Sequence, residues 1–286
     1  MTGVQTCALP ILDLSLANRE ITISQLSALL PGNSDVAVFG FITEKDNLPQ
    51  FDGTMDLTSS DLRSALDWLG VQTKGIAGDR LRAASLNARL SARPDQASAT
   101  DLKVRFDATQ IDGALTARIA RRPSFGANLT IDRINFDAYA PSVEVKSAQE
   151  SDKSGAVSSQ TSTSPDSAQT SPLGTLSALG AFDANLRARI GAATFKSVPL
   201  NDVRIEFALA DGNLDVRSAA IGDMAGVSAS ISGNIGGLGT SEPNLRDLVV
   251  DAKAKSLANF LRVADVKSPI SAEALGVVGA TDRKST

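Results

Sequence analysis

The chain of 286 residues contains no histidine, a single cysteine (Cys7), one tryptophan and one tyrosine. Without histidine and with only one thiol, it has no ligands for an ordinary zinc or haem site. It also has no side chains for a His-based triad or a Cys–His nucleophile pair. Aromatic residues make up only 4% of the chain, so the core must be aliphatic. These absences exclude most familiar enzyme chemistry and leave carboxylate, lysine, serine or hard-cation chemistry, or no chemistry at all, as open alternatives.

The chain also has no excess of positive charge. It contains 28 basic and 32 acidic residues, which gives a net charge of −4. Such a chain lacks the basic footprint of a nucleic-acid-binding protein, and we expect no nucleic acid partner. No run approaches the roughly 20 apolar residues that a membrane-spanning helix requires. The apolar content of 42% nevertheless suffices for one large or two ordinary folded domains.

The two ends of the chain differ from the rest. Residues 1–11 (MTGVQTCALPI) and 282–286 (DRKST) resemble translated sequencing adapter, and we treat both as non-native segments outside the fold prediction. Cys7 belongs to the first segment, so residues 12–281 contain neither cysteine nor histidine, which suits an oxidising compartment. We expect these residues to be a fragment of a longer protein.

Apolar and polar residues alternate through most of residues 12–281. For example, Lys103 and Arg105 separate aliphatic neighbours, and the pairs Asp112-Gly113 and Asp211-Gly212 predict hairpin turns. About a dozen such segments follow one another with short connections and no regular helix between them. This pattern predicts a mainly β protein built from antiparallel meanders.

Two segments change to helical spacing. Residues 59–70 place apolar side chains on one stripe, with a serine to cap the start and Gly70 to stop the helix, and residues 256–264 repeat the pattern. Each segment directly follows a strand, and residues 129–141 are a degenerate third instance. We interpret this as a weak internal repeat. The alternative is that short helices cap the ends of unrelated strands.

Within residues 144–178, the stretch from 147 to 172 is nearly all Ser, Thr, Gln, Ala, Asp and Pro. Such a segment cannot bury enough apolar surface to fold, so we predict a disordered insert. It divides a β-rich segment at 12–143 from a second one at 179–281. The insert is either a linker between two units or a long loop that leaves and re-enters one sheet. The common strand pattern of the two halves favours the loop.

The strands carry more one-sided apolar surface than two short helices can cover, and each square ångström removed from water is worth roughly 25 cal/mol. Either two sheets pack as a sandwich, or one elongated antiparallel sheet curls into an open trough whose apolar lining is filled by lipid. The candidate lipid-facing residues are Val104, Phe106, Leu115, Ile119, Leu186, Ile190, Val203, Ile205, Phe207 and Leu209.

Four stretches of the sequence resemble the AsmA family of Gram-negative cell-envelope proteins, including its TamB-like members. They are GTMDLTSSDLRSALDWLG at 53–70, LKVRFDATQIDGALTARI at 102–119, NLTIDRINFDAYAP at 128–141 and ANLRARIGAATFKSVPLNDVRIEFALADGNLDV at 184–216. The resemblance implies an N-terminal inner-membrane anchor, which this fragment lacks, and a long periplasmic β-rich body. It also implies a role in outer-membrane biogenesis, no catalytic residues, and an apolar groove that conducts phospholipid. It favours the trough over the sandwich.

We therefore expect a periplasmic, non-enzymatic protein, without a metal or a cofactor, that shelters or conducts phospholipid acyl chains between the inner and outer membranes. The alternative is a scaffold that assists outer-membrane protein assembly through interactions at strand edges. The expected partners are a phospholipid or other acyl-chain lipid, the inner membrane through the anchor, and outer-membrane assembly proteins in the alternative.

Overall fold

The computed structural model describes residues 11–17, 20–140, 179–238, 240, 243–254 and, as backbone, 278–284. These residues form one open sheet of fourteen strands that neighbour one another in chain order, with β1 and β14 at its two edges. The strands are β1 (Ile11–Ala17), β2 (Glu20–Leu30), β3 (Ser34–Lys45), β4 (Leu48–Ser59), β5 (Ala84–Arg93), β6 (Gln96–Phe106), β7 (Thr109–Arg118), β8 (Ser124–Asn135), β9 (Asp183–Phe195), β10 (Val198–Ala210), β11 (Asn213–Met224), β12 (Val227–Gly236), β13 (Asn244–Ala254) and β14 (Val278–Lys284). The prediction of a mainly β protein is confirmed.

Two dipeptides of identical sequence occupy different places in this sheet. Asp211-Gly212 forms the predicted turn between β10 and β11, and both residues have the positive φ of a tight hairpin, 50° and 70°. The turn predicted at Asp112-Gly113 is wrong, because that pair lies inside β7, where Gly113 pairs with Leu102. A Cβ at Gly113 would lie 2.1 Å from the backbone oxygen of Asn128, so this glycine permits close strand approach.

One α-helix, α1 (Leu62–Trp68), follows β4, and the 3-10 turn η1 (Phe136–Ala138) follows β8. The helix is capped by Asp61, whose side chain accepts a hydrogen bond from the Ser64 N–H, rather than by a preceding serine. The second predicted helix, at residues 256–264, lies outside the described residues. The strand register places the ends of β4, β8 and β13 at the same end of the sheet, which we call the α1 end.

The two halves of the chain meet at β8 and β9, the one parallel pair among the described strands. β9 starts beside the start of β8, so the end of β8 at Asn135 and the start of β9 at Asp183 lie at opposite ends of the sheet. The halves therefore belong to one sheet, the arrangement that their common strand pattern favoured. Most of the predicted insert lies outside the described residues. The expectation of a purely antiparallel sheet is wrong at this pair.

A second layer does not cover the middle of the sheet in the described part of the chain. Leu115 and Phe125, on neighbouring strands β7 and β8, remain 40% and 50% exposed. A facing sheet of a sandwich would remove most of this exposure. At one edge of the sheet, β14 includes residues 282–284, which belong to the C-terminal segment that we treated as non-native. These residues pair with β13. Hydrogen bonds between strands join main-chain groups and so require no particular side chains.

Candidate functional site: the apolar face

The strand register aligns apolar side chains in continuous rows across one side of the sheet, which we call the apolar face. Residues paired across adjacent strands point to the same side, so a row can be followed from pair to pair. One row runs through Ala28, Val36, Leu57, Leu86, Val104, Ile111, Ile131, Ile190, Val203, Ile221, Ala229 and Ala252. Another runs through Leu16, Ile21, Ile42, Phe51, Ala92, Ala97, Ala117, Phe125, Ala184, Leu209, Leu214, Ile235 and Leu245. Neither row contains a polar side chain.

The opposite side of the sheet, the polar face, carries the charged partners of the alternation. On this side Glu206 of β10 accepts hydrogen bonds from Arg187 at 2.7 Å and from Arg217 at 3.3 Å. The hydrogen bond from Arg187 is the main reason that the pKa of the Glu206 carboxyl lies below its ordinary value. Ionic contacts therefore link neighbouring strands on one face and leave the other face to aliphatic side chains.

An open cavity of about 520 Å³ lies on the apolar face across β5 to β10. Its walls include Leu90, Leu115, Phe125, Leu186 and Phe207, and no ionisable side chain lines it. Its remaining apolar residues are small: Ala97, Ala99, Ala117, Ala127 and Ala184. Because alanines stand between larger side chains, the surface is concave at this place. Ser98, Thr116 and Asn185 are the polar residues of the lining, and the arrangement offers mainly dispersion contacts to an apolar ligand.

Three of the ten candidate residues, Leu115, Leu186 and Phe207, line this cavity. Six more lie on the apolar face by register: Val104, Phe106, Ile190, Val203, Ile205 and Leu209. Ile119 is separate from them, because it follows the end of β7, where its N–H bonds to the Asp95 carbonyl and its side chain is largely exposed. Sequence reasoning had missed Leu90 and Phe125, although both belong to segments with apolar alternation.

At the α1 end, Phe106 is covered rather than open. Its ring lies 6.0 Å from the ring of Tyr139, which follows η1. The Tyr139 hydroxyl donates to Asp107 Oδ2 at 2.8 Å. Burial, followed by this hydrogen bond and the Asp107 charge, raises the pKa of Tyr139 to about 12. The apolar face therefore meets a fixed polar contact at this end of β6.

Among the described residues, no group of acidic or cysteine side chains could hold a metal ion. None of the helices described is both long and apolar enough to cross a bilayer. Comparison with family models, with curated proteins and with solved structures finds no match for this chain. The apolar face is the most extensive feature of the described residues that suggests a ligand.

Proposed function

We propose that this chain is the periplasmic part of an AsmA-like outer-membrane biogenesis protein. In this proposal its sheet is an elongated, curled trough that shelters or conducts phospholipid acyl chains between the inner and outer membranes. The full-length protein would be anchored in the inner membrane. The observation that carries the proposal is the pair of uninterrupted apolar rows across the sheet.

The length of the rows supports a ligand that moves rather than one that sits in a closed pocket. The row from Leu16 to Leu245 crosses thirteen strands, and twelve intervals of about 4.8 Å give roughly 58 Å. An acyl chain spans about half of a hydrocarbon core of about 30 Å, or some 15 Å. The face can therefore hold several acyl chains in succession along one path.

The chemistry of the face suits motion along it. A buried polar group without a partner costs about 1–3 kcal/mol, so a polar side chain in a row would interrupt an acyl chain's path. The rows offer aliphatic contacts of similar kind at each strand instead, and no site holds the chain by a directional bond. The charged lipid headgroup would remain near water at the open side of the trough.

Site-specific photo-crosslinking in cells tests this proposal. A photoreactive amino acid at Leu115, which lines the cavity, should crosslink to phospholipid. The same amino acid at Asn128 is the matched control, because Asn128 is exposed on the polar face, where it pairs with Arg187, and does not line this cavity. Lipid adducts at Leu115 and few at Asn128 are the expected result. Equal labelling, or no lipid at Leu115, would contradict the proposal.

A pair of charge substitutions on β8 tests conduction itself. Ala127→Asp places a carboxylate in the cavity, whereas Asn128→Asp places one on the exposed polar face. We expect Ala127→Asp to abolish lipid adducts at Leu115 and to weaken the outer-membrane barrier in cells. Asn128→Asp should leave both unchanged. Proper folding of both variants is checked first by circular dichroism.

The strand-edge scaffold is a second candidate because of β1. All seven residues of β1 are exposed, and it pairs with β2 on one side and with no other described strand. Such an edge can accept a strand from an outer-membrane assembly protein. Crosslinkers placed along β1 would then capture a protein, while those at Leu115 would capture no lipid.

A further inference from the structure

An exposed apolar tip projects from the C-terminal end of α1. Trp68, Leu69 and Val71 are 57%, 65% and 50% exposed. The helix ends at Trp68, and Gly70 follows with a φ of +81°. We call residues 68–78 the α1 tip.

Hydrogen bonds hold the tip in this conformation. The Val71 N–H bonds to the Leu66 carbonyl at 2.9 Å and the Gly70 N–H to the Asp67 carbonyl at 3.0 Å, the double closure of a Schellman motif. The buried Thr73 hydroxyl donates to Asp67 Oδ1 at 2.7 Å. The apolar side chains are therefore presented by a fixed turn, which lowers the entropy lost on binding.

Arg63 of α1 fixes the rest of the tip. Its guanidinium donates to the carbonyl oxygens of Thr73 at 3.1 Å, Ile76 at 3.1 Å and Ala77 at 2.7 Å. One side chain thus satisfies several backbone acceptors of the loop. The loop can expose apolar side chains without losing its shape.

The charge of the tip differs from that of the whole chain. Residues 68–78 contain one ionisable side chain, Lys74, which is exposed, although the chain has a net charge of −4. Each flanking carboxylate has a partner. Asp67 accepts a hydrogen bond from Thr73, and Asp79 forms an ion pair with Arg80 at 3.6 Å. An apolar surface with a single cation and no carboxylate complements an anionic bilayer surface.

We propose that the α1 tip inserts into the headgroup region of an anionic lipid bilayer. Tryptophan favours that depth, because its ring is apolar and its N–H remains near water. Three side chains supply far less than the roughly 800 Å² per partner that a stable protein interface buries, so a bilayer fits the patch better than a protein. A flanking lysine adds attraction to anionic lipid.

The inference rests on the proposed function in one respect only. A trough that carries acyl chains must receive them from a bilayer or deliver them to one, and the tip lies at the α1 end of the sheet, where β4 ends. Insertion of Trp68 would place that end against the membrane. Binding of the tip and occupancy of the trough can nevertheless be measured separately.

The chain's only tryptophan is in the tip, so tryptophan fluorescence, excited selectively over that of Tyr139, reports on this site alone. The full chain is mixed with vesicles of phosphatidylglycerol and phosphatidylcholine, or of phosphatidylcholine alone. We expect Trp68 emission to shift to shorter wavelength with the anionic vesicles and to be quenched by brominated acyl chains. The double variant Leu69→Ser/Val71→Ser should weaken vesicle binding by roughly tenfold or more. Leu48→Ser, an exposed leucine at the opposite end of β4, is the matched control and should bind normally.

Two outcomes would overturn the inference. One is an unchanged Trp68 emission with anionic vesicles. The other is a shift that survives in the double variant but disappears in Leu115→Arg, because the probe would then report lipid in the trough. Loss of lipid adducts at Leu115 with a normal Trp68 shift would instead refute the proposed function and leave the tip's role standing.

Discussion

The Arg122 guanidinium lies 2.5 Å from the Asp183 carboxylate, at the place where β8 and β9 begin side by side. Arg122 also donates to the Phe182 carbonyl at 3.2 Å, and Asp183 Oδ1 accepts the Asp211 N–H at 3.1 Å. The rings of Phe125 and Phe182 pack edge to face beside this contact. A residue pair that is distant in sequence thus joins the two halves of the sheet.

A second contact fixes the other end of the same strand pair. There Asp137 of η1 accepts the N–H groups of Lys196 and Ser197, at 2.6 and 2.7 Å, in the turn between β9 and β10. The rings of Phe136 and Phe195 pack edge to face nearby. The parallel pair is therefore secured at both ends by a carboxylate and an aromatic contact.

The first prediction concerns acid stability. The hydrogen bond from Arg122 holds the pKa of Asp183 below its ordinary value. This contribution is present above the pKa of an unfolded aspartate, about 4, and is lost as the pH falls through the lower folded value. Asp183→Asn should therefore lower the urea midpoint of unfolding slightly at neutral pH. In this variant the midpoint should also decrease less than in the unaltered protein when the pH is lowered to acid values. Urea titrations at a series of pH values measure both effects.

A neighbouring arginine provides the control for this prediction. Arg122→Ala should reproduce the effect of Asp183→Asn, whereas replacing the exposed Arg121 with alanine should not. If Arg121→Ala changed the pH profile as much as Arg122→Ala, the effect would come from overall charge and not from the contact between Arg122 and Asp183.

A second prediction compares two leucines of the apolar face. Leu209 is 4% exposed and Leu115 is 40% exposed. We expect Leu209→Ala to lower the free energy of unfolding by about 2–3 kcal/mol, because it leaves a cavity, and Leu115→Ala by less than about 1 kcal/mol. Chemical denaturation measures both losses. Equal losses would mean that another part of the protein covers Leu115 in solution.

The alternation of residue types predicted the sheet and the side that each residue faces, because a strand repeats every two residues. It therefore placed Leu186, Ile205 and Phe207 on one face before any partner was known. The turn prediction was wrong at Gly113. Asp112-Gly113 has the sequence of a hairpin turn, but in the structure Gly113 lies inside a strand, where the lack of a side chain allows the neighbouring strand to approach closely.

The pairing of β8 with β9 could not be predicted in the same way. Alternation gives the side of a strand but neither its neighbour nor its direction. The contact between Arg122 and Asp183 spans 61 positions of sequence. The cavity depends on the same pairing, because Ala127 and Leu186 meet in its wall only through this register.

A third prediction compares two glycines with positive φ. At Gly70, with φ of +81°, an added Cβ meets nothing within 4 Å. Gly70→Ala should therefore cost only the conformational energy of about 1 kcal/mol. At Gly212, with φ of +70°, the Cβ would lie 2.3 Å from the Leu238 backbone oxygen. Gly212→Ala should cost more than about 2 kcal/mol.

Urea denaturation of the two glycine variants provides the comparison. Trp68 fluorescence should also change in Gly70→Ala, since the turn that presents it is altered, and should stay unchanged in Gly212→Ala. A larger loss of stability in Gly70→Ala than in Gly212→Ala would contradict the packing of Leu238 over the β10–β11 turn.

The final prediction uses Tyr139, the only tyrosine of the chain, whose phenolate absorbance therefore reports one group. Burial and the contact with Asp107 raise its pKa to about 12. An unfolded tyrosine has a pKa of about 10. Because the folded protein keeps the proton to a higher pH than the unfolded chain does, the resulting stability is fully present below about pH 10 and is lost as the pH rises towards 12.

Asp107→Asn tests the contribution of the contact. It should lower the measured pKa of Tyr139 towards 10, because it removes the acceptor's charge while burial persists. Thr109→Val is the control and should not lower the pKa of Tyr139, because the hydrogen bond with Thr109 acts to lower that pKa and the variant removes it. An ordinary pKa in the unaltered protein would contradict the contact between Tyr139 and Asp107.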